Sequence, residues 1–307
     1  MTIVIHDLII IRYGEIALKS EETRNRFENC LIKNISHALK LNNILGTIKK
    51  ERGRIYLFTE KIDQCISILK RIFGIVSFSS AYLSDINIKS ISSISIDISK
   101  NFLGKEKTFA LRVNRTGNHP FTSQDVAIKI GNDMVNATGA KVDLNKPDFE
   151  IFIEIRNKNS YIFLEKIQGL GGMPVGSQGN VLALIKNMYS LLAAWYILHR
   201  GCNVFFTCKD KTILDMINSF STNWFIDSDI TYIDSSNEDY LNYLKKITID
   251  KKCDAIVTGN SLQNSNKNVL FEIKSLKEKN DVPILHPLIS MSRLKIIQKC
   301  NELGISP

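Results

Sequence analysis

The chain has 307 residues, 44% of them hydrophobic, and carries 40 Lys and Arg against 31 Asp and Glu, a net charge of +9. That composition excludes a disordered or low-complexity protein and, at roughly 100–200 residues per domain, leaves room for two or three folded domains. No apolar run approaches the roughly 20 residues of a membrane span, and Met1 to Asp7 lacks the basic-then-apolar layout of a signal peptide, so a cytoplasmic protein without membrane contact is expected. Six scattered cysteines form no Cys-x-x-Cys pair and have no histidines at metal-ligand spacing, which predicts reduced thiols and no metal site. The excess charge is +5 over residues 1–75 and +2 over each of 76–170 and 171–307. A basic first half suits a polyanion, because Lys and Arg contacts to phosphates release counterions.

The first 75 residues alternate strand and helix patterns. An apolar run from Ile3 to Ile11 leads into Arg12-Tyr-Gly-Glu-Ile-Ala-Leu-Lys-Ser20. Ser20 or Thr23 is placed to cap a helix whose Phe27, Leu31, Ile35 and Leu39 form one stripe ending near Lys40. A strand follows at Arg54 to Phe58, then a helix capped by Thr59 with Ile62, Ile66, Leu69 and Ile72 inward, then an alternating strand from Val76. This is the β-α-β-β-α-β order of a ferredoxin-like domain.

In the middle segment a helix is expected near Ile88 to Phe102 and a strand at Thr108 to Asn114. Thr122 with Asp125 reads as a capping box for a helix whose apolar face holds Val126, Ile130, Met134 and Val135 and which ends at Gly139. Two alternating strands, Phe149 to Arg156 and Tyr161 to Glu165, pair through Lys158-Asn-Ser.

From Gly171 onward, short apolar strands at Val181 to Ile185, Val204 to Thr207 and Ala255 to Val257 alternate with helical stretches, the first from Asn187 to His199. Strands separated by helices imply a parallel, doubly wound sheet, with ligands beyond the strands' carboxyl ends. Lys186 to Ser190, Cys208-Lys209 and Thr258-Gly259-Asn260 should therefore face one crevice. Cys208 is the thiol expected to be presented there.

Three ordered strings carry a resemblance that spans nearly the whole chain: Arg12-Tyr-Gly-Glu-Ile-Ala-Leu-Lys19, Phe73-Gly-Ile-Val-Ser-Phe-Ser-Ser-Ala81 and Gly171-Gly-Met-Pro-Val-Gly-Ser-Gln-Gly179. Ala255-Ile-Val-Thr-Gly259 and the run from Val282 to Ile297 extend it. The chain is similar to the tRNA 4-thiouridine synthetase (tRNA sulfurtransferase) family. The resemblance implies a mixed α/β and α+β protein of three domains. These are a ferredoxin-like domain (1–75), an α/β THUMP RNA-binding domain (76–170) and a doubly wound, Rossmann-like PP-loop domain (171–307). It also implies ATP-dependent adenylation of a tRNA uridine followed by sulfur transfer, with Mg²⁺ at the phosphates.

The family's phosphate loop reads Ser-Gly-Gly-x-Asp-Ser, and of it this chain keeps Ser190 alone. Lys186 and Asn187 replace the glycines and Tyr189 the acidic residue. Added Cβ atoms and a lost carboxylate should impair pyrophosphate chemistry, with Lys186 as a partial substitute. The nucleotide site implied by the resemblance comprises Ala183, Leu184, Lys186, Ser190, Cys208, Lys209 and Gly259. The family's catalytic cysteine segment has no counterpart before Pro307, so no catalytic residue is assigned. The resemblance further implies that the THUMP half binds the tRNA acceptor end. Arg12, Lys19, Arg24, Arg112, Arg115 and Lys129 are the expected contacts, while a separate sulfur carrier or catalytic partner and a homodimer are the remaining expected partners. The alternative is an active sulfurtransferase with an altered nucleotide pocket.

Overall fold

The computed structural model describes residues 8–14, 20–227, 229–233, 240–264 and 269–305. By contact density the chain divides into two compact units: residues 1–12, 43–67 and 77–168, and residues 13–42, 68–76 and 169–307.

In the first unit, β1 (Leu8–Arg12), β2 (Thr47–Glu51), β3 (Arg54–Phe58) and β4 (Ser77–Ser84) lie in the order β2-β3-β1-β4 with every pairing antiparallel, the ferredoxin-like arrangement. The four buried residues Leu8 to Ile11 make β1 a central strand. The sequence pattern does not reveal β2, because Thr-Ile-Lys-Lys-Glu has one apolar residue. It sits at the sheet edge, where lysines discourage further pairing. The same sheet continues through β5 (Thr108–Thr116), β6 (Lys141–Val142), β7 (Phe149–Arg156) and β8 (Asn159–Phe163) in the order β4-β8-β7-β5-β6, and β9 (Ile167–Gln168) pairs with β4. Two helices, α3 (Ile88–Ser99) and α4 (Ser123–Thr138), bury Ile91, Ile98, Val126, Ile130 and Met134 against Phe109, Ile151, Ile153 and Ile155. The Thr122–Asp125 capping box forms in both directions, and Gly139 ends α4 in the left-handed conformation. Val135, expected on the apolar face, is 37% exposed.

The second unit holds α1 (Glu21–Leu41) and a parallel sheet of β10 (Asn180–Ile185), β11 (Asn203–Cys208), β12 (Ile230–Tyr232), β13 (Ala255–Thr258) and β14 (Ile284–Leu285), in the order β12-β11-β10-β13-β14. Ser20 occupies the N-cap of α1 but makes no capping bond, because its hydroxyl donates to Thr23 Oγ1 at 3.0 Å. Side chains of β10 alternate between two cores. Val181, Ala183 and Ile185 pack with α5 (Met188–His199), α6 (Thr212–Asn223) and α9 (Arg293–Glu302), while Leu182 and Leu184 pack with α7 (Tyr240–Asp250) and α8 (Val269–Lys279). Apolar residues on all sides of α5 follow from its burial in this layer. Among the described residues no helix is long and apolar enough to cross a membrane.

Candidate functional site

A cleft of about 510 Å³ opens on the first unit, lined by Arg12, Arg54, Arg112, Glu154, Phe163 and Lys166 together with neighbouring backbone. Its geometry follows from register. Ile11 pairs with Ile55, so Arg12 and Arg54 end up opposite one another on antiparallel strands, where like charges repel. Glu154 of β7 resolves the conflict, with Oε1 at 2.8 Å from Arg54 Nε and 3.0 Å from Arg156 Nη1, and Oε2 at 3.6 Å from Arg12 Nη2. Three guanidiniums thus share one buried carboxylate. Arg12 also donates to Ser79 Oγ at 3.0 Å and lies over the Phe163 ring, and burial pushes its pKa down to about 10 against the pull of Glu154. Phe163 and Phe152 stack at 5.2 Å, and Lys166 Nζ sits 4.3 Å above Phe152. Burial, and then Arg12, lower the Lys166 pKa. At the far side Arg112 pairs with Glu150 at 2.7 Å.

Of the expected RNA contacts, Arg12 and Arg112 meet in this cleft. Arg115 does not join them: it is three residues from Arg112 on the same strand, so alternation turns it to the face α4 covers, where Nη1 donates to Gly117 O at 3.0 Å. Lys129 is exposed on α4 and pairs with Asp133 at 3.2 Å. Arg24 belongs to the second unit, where it lies 3.9 Å from Glu28, and Lys19 falls outside the described residues. Sequence reasoning missed Arg54 and Lys166. No local pattern marks them, because their neighbours in the cleft are fixed by strand order. His119 and Phe121 stack on each other at 5.6 Å.

In the second unit the strand order reverses between β10 and β13, the place where doubly wound sheets bind ligands. Here the first turn of α5 satisfies itself. Asn187, its N-cap, accepts from the amides of Tyr189 at 3.0 Å and Ser190 at 3.3 Å, while Ser190 Oγ accepts from the Lys186 amide at 3.3 Å. Gly259, just past β13, presses so close that a Cβ on it would stand 2.4 Å from Ser190 N. Thr258 Oγ1 and His286 Nδ1 are hydrogen-bonded at 2.7 Å, and burial lowers the His286 pKa. Lys186 and Lys209 are exposed at the ends of β10 and β11. Ala183 and Leu184 have side chains buried in the two cores rather than facing the crevice. The expectation for Cys208 also fails, since its side chain packs into the core at 3% residue exposure and burial raises its pKa.

The glycine-rich lead-in serves a different purpose from phosphate binding. Gly172 (φ +72°) lies against the last turn of α5, where a Cβ would come 2.3 Å from His199 O, and the Met173 amide donates to that same carbonyl at 3.0 Å. Val175 O accepts from Cys30 Sγ and Asn34 Nδ2, which ties the segment to α1. These glycines therefore dock the C-terminal end of α5, opposite the end expected to meet a nucleotide.

Comparisons with known proteins agree with this architecture. Residues 8–79 match the ThiI ferredoxin-like domain, 91–165 the THUMP domain and 239–306 the family described as thiamine biosynthesis protein (ThiI). The probable tRNA sulfurtransferase of Methanocaldococcus jannaschii is 32% identical over 96% of this chain and 87% of its own length. That of Methanobrevibacter smithii is 30% identical over 97% and 87%. Both alignments run to 335 residues against a chain of 307, so the relatives hold internal stretches that this chain lacks. The crystal structure of PH1313 from Pyrococcus horikoshii superposes with a TM-score of 0.84 at 28% identity, covering 97% of this chain and 99% of that one. The crystal structure of a 4-thiouridine synthetase–RNA complex with bound ATP superposes at 0.80 with 22% identity, over 97% and 85%, a likeness of fold. On this sequence and fold evidence the chain belongs to the tRNA sulfurtransferase family.

Proposed function

We propose that this chain binds tRNA through the cleft of Arg12, Arg54, Arg112 and Lys166 and takes part in tRNA uridine thiolation, with the acceptor end as the bound part. We assign three domains at 1–75, 76–170 and 171–307. The carrying observation is the gathering of Arg12, Arg54 and Arg156 around the single carboxylate of Glu154, beside an aromatic floor. Buried guanidiniums in excess of carboxylates are costly until an anion supplies the missing charge, and a phosphate backbone supplies it in series. The relatives' sulfurtransferase names give the reaction in which the bound tRNA takes part.

The β10–α5 turn does not fit a nucleoside triphosphate. A phosphate cradle needs open amides and small residues, and here the amides of Lys186, Tyr189 and Ser190 already have acceptors from the chain's own side chains. Tyr189 stands where the family places a Mg²⁺-binding carboxylate. Adenylation is therefore assigned to a separate catalytic partner, together with a sulfur carrier, and no step is routed through ATP on this chain. Filter binding of tRNA at increasing salt tests the first half. Arg112→Ala and Lys166→Ala, both at the cleft's exposed rim, should each weaken binding several-fold. Equal affinity for tRNA and a neutral polymer would remove the reading. ATP–pyrophosphate exchange with tRNA and Mg²⁺ tests the second half, and exchange above a heat-killed sample would favour the alternative of an active enzyme built on Lys186, Ser190 and Gly259.

A further inference from the structure

The carboxyl ends of β10 and β11 carry a pair of lysines that the packing of the sheet does not call for. The strands run parallel with Ile185 opposite Cys208, so Lys186 and Lys209 follow at neighbouring positions, both exposed. Like charges side by side on a sheet are destabilising. The Lys209 pKa is lowered first by partial burial and then by Lys186, so the two charges act on each other. Lys209 Nζ rests 3.5 Å from the centre of the Tyr240 ring, which holds the ammonium in place. That phenol is pushed up to about 12 by burial and offers a ring face, not a negative charge. The nearby carboxylate of Asp210 accepts from the Thr212 amide at 2.9 Å, engaged in its own turn.

This pair lies at the ligand end of a doubly wound sheet, beside a helix start whose amides are already satisfied. Lysine is a compact point charge on a flexible stem, which suits a small anion without demanding a rigid backbone nest. We propose that Lys186 and Lys209 hold a phosphate-class anion, either free phosphate or pyrophosphate or one phosphate of an RNA backbone, without the amide cradle a nucleoside triphosphate requires. The site is independent of the arginine cleft. Its failure would leave the tRNA reading intact.

The test uses the full chain with Lys186→Met and Lys209→Met. Both positions are exposed, and removal of either charge relieves the repulsion, so neither variant should melt below the wild type in phosphate-free buffer. If the anion is free, millimolar orthophosphate or pyrophosphate raises the wild-type Tm by about 2 °C or more over sodium chloride of equal ionic strength. Each substitution then abolishes the rise. If the anion belongs to RNA, phosphate alone does nothing, but each variant loses at least about threefold in tRNA affinity and its log–log salt slope becomes shallower by about one. Arg112→Ala in parallel reports on the cleft. The proposal is overturned if both variants fold while phosphate response and tRNA affinity both match the wild type. A variant that melts lower with no loss of anion response overturns it too, because that outcome assigns the lysine a structural role.

Discussion

Single residues in this protein are constrained by close approach and by charge. Gly259 is set by contact with Ser190, so Gly259→Ala forces β13 and the start of α5 apart. A loss of about 1–3 kcal/mol in chemical denaturation is expected, the usual range for overpacking a tight contact. His286 is constrained through its proton. Burial holds its pKa below the ordinary histidine value of 6.5. The unfolded chain therefore takes up the proton first as pH falls, and stability present above about pH 6.5 is lost on acidification toward the folded pKa. Denaturation at pH 7.5 and pH 5.5 should show a larger acid loss in the wild type than in His286→Gln. An equal loss would mean that His286 titrates normally. Local chemistry of this kind was partly legible in the chain: the Thr122–Asp125 pair is a capping box in sequence and in structure. Cys208 was not legible, because the exposure of a strand's last residue depends on what packs over it.

Among the secondary elements, α5 shows how one helix serves two ends. Its C-terminal turn receives the glycine-rich lead-in through His199 O, and its N-terminal turn is closed by Asn187 and Ser190. Asn187→Ala removes the cap and should cost about 1 kcal/mol, measured as a fall in Tm or in denaturation midpoint. The same change leaves the Tyr189 and Ser190 amides open, so anion-dependent stabilisation should grow rather than vanish. No change in either quantity would show that the cap contributes nothing. Periodicity identified most elements, since the stripes of α1 and α4 and the alternation of β7 carry their burial pattern in the residues themselves. It passed over β2, where a single isoleucine among charged residues gives no alternation and the pairing partner, β3, decides the conformation.

For the whole molecule, a net charge of +9 gains function where tertiary structure concentrates it. The four cations of the cleft, each meeting one phosphate, predict a slope of log affinity against log salt of roughly −3 to −4. A slope near zero in tRNA titrations between low and moderate salt would show that the cleft does not carry the binding. The sequence by itself determined the order of the domains, the doubly wound character of the C-terminal part and the replacement of the phosphate loop, because periodicity, glycine strings and residue identity are properties of the linear chain. Only the tertiary structure decided which cations act together. It joined Arg12 to Arg54, Arg112 and Lys166, turned Arg115 away, and closed the stretch from Gly169 to Ser190 into a docking segment and a self-capped helix. Strand register and order set those neighbours across long separations in the chain, and no local pattern records them.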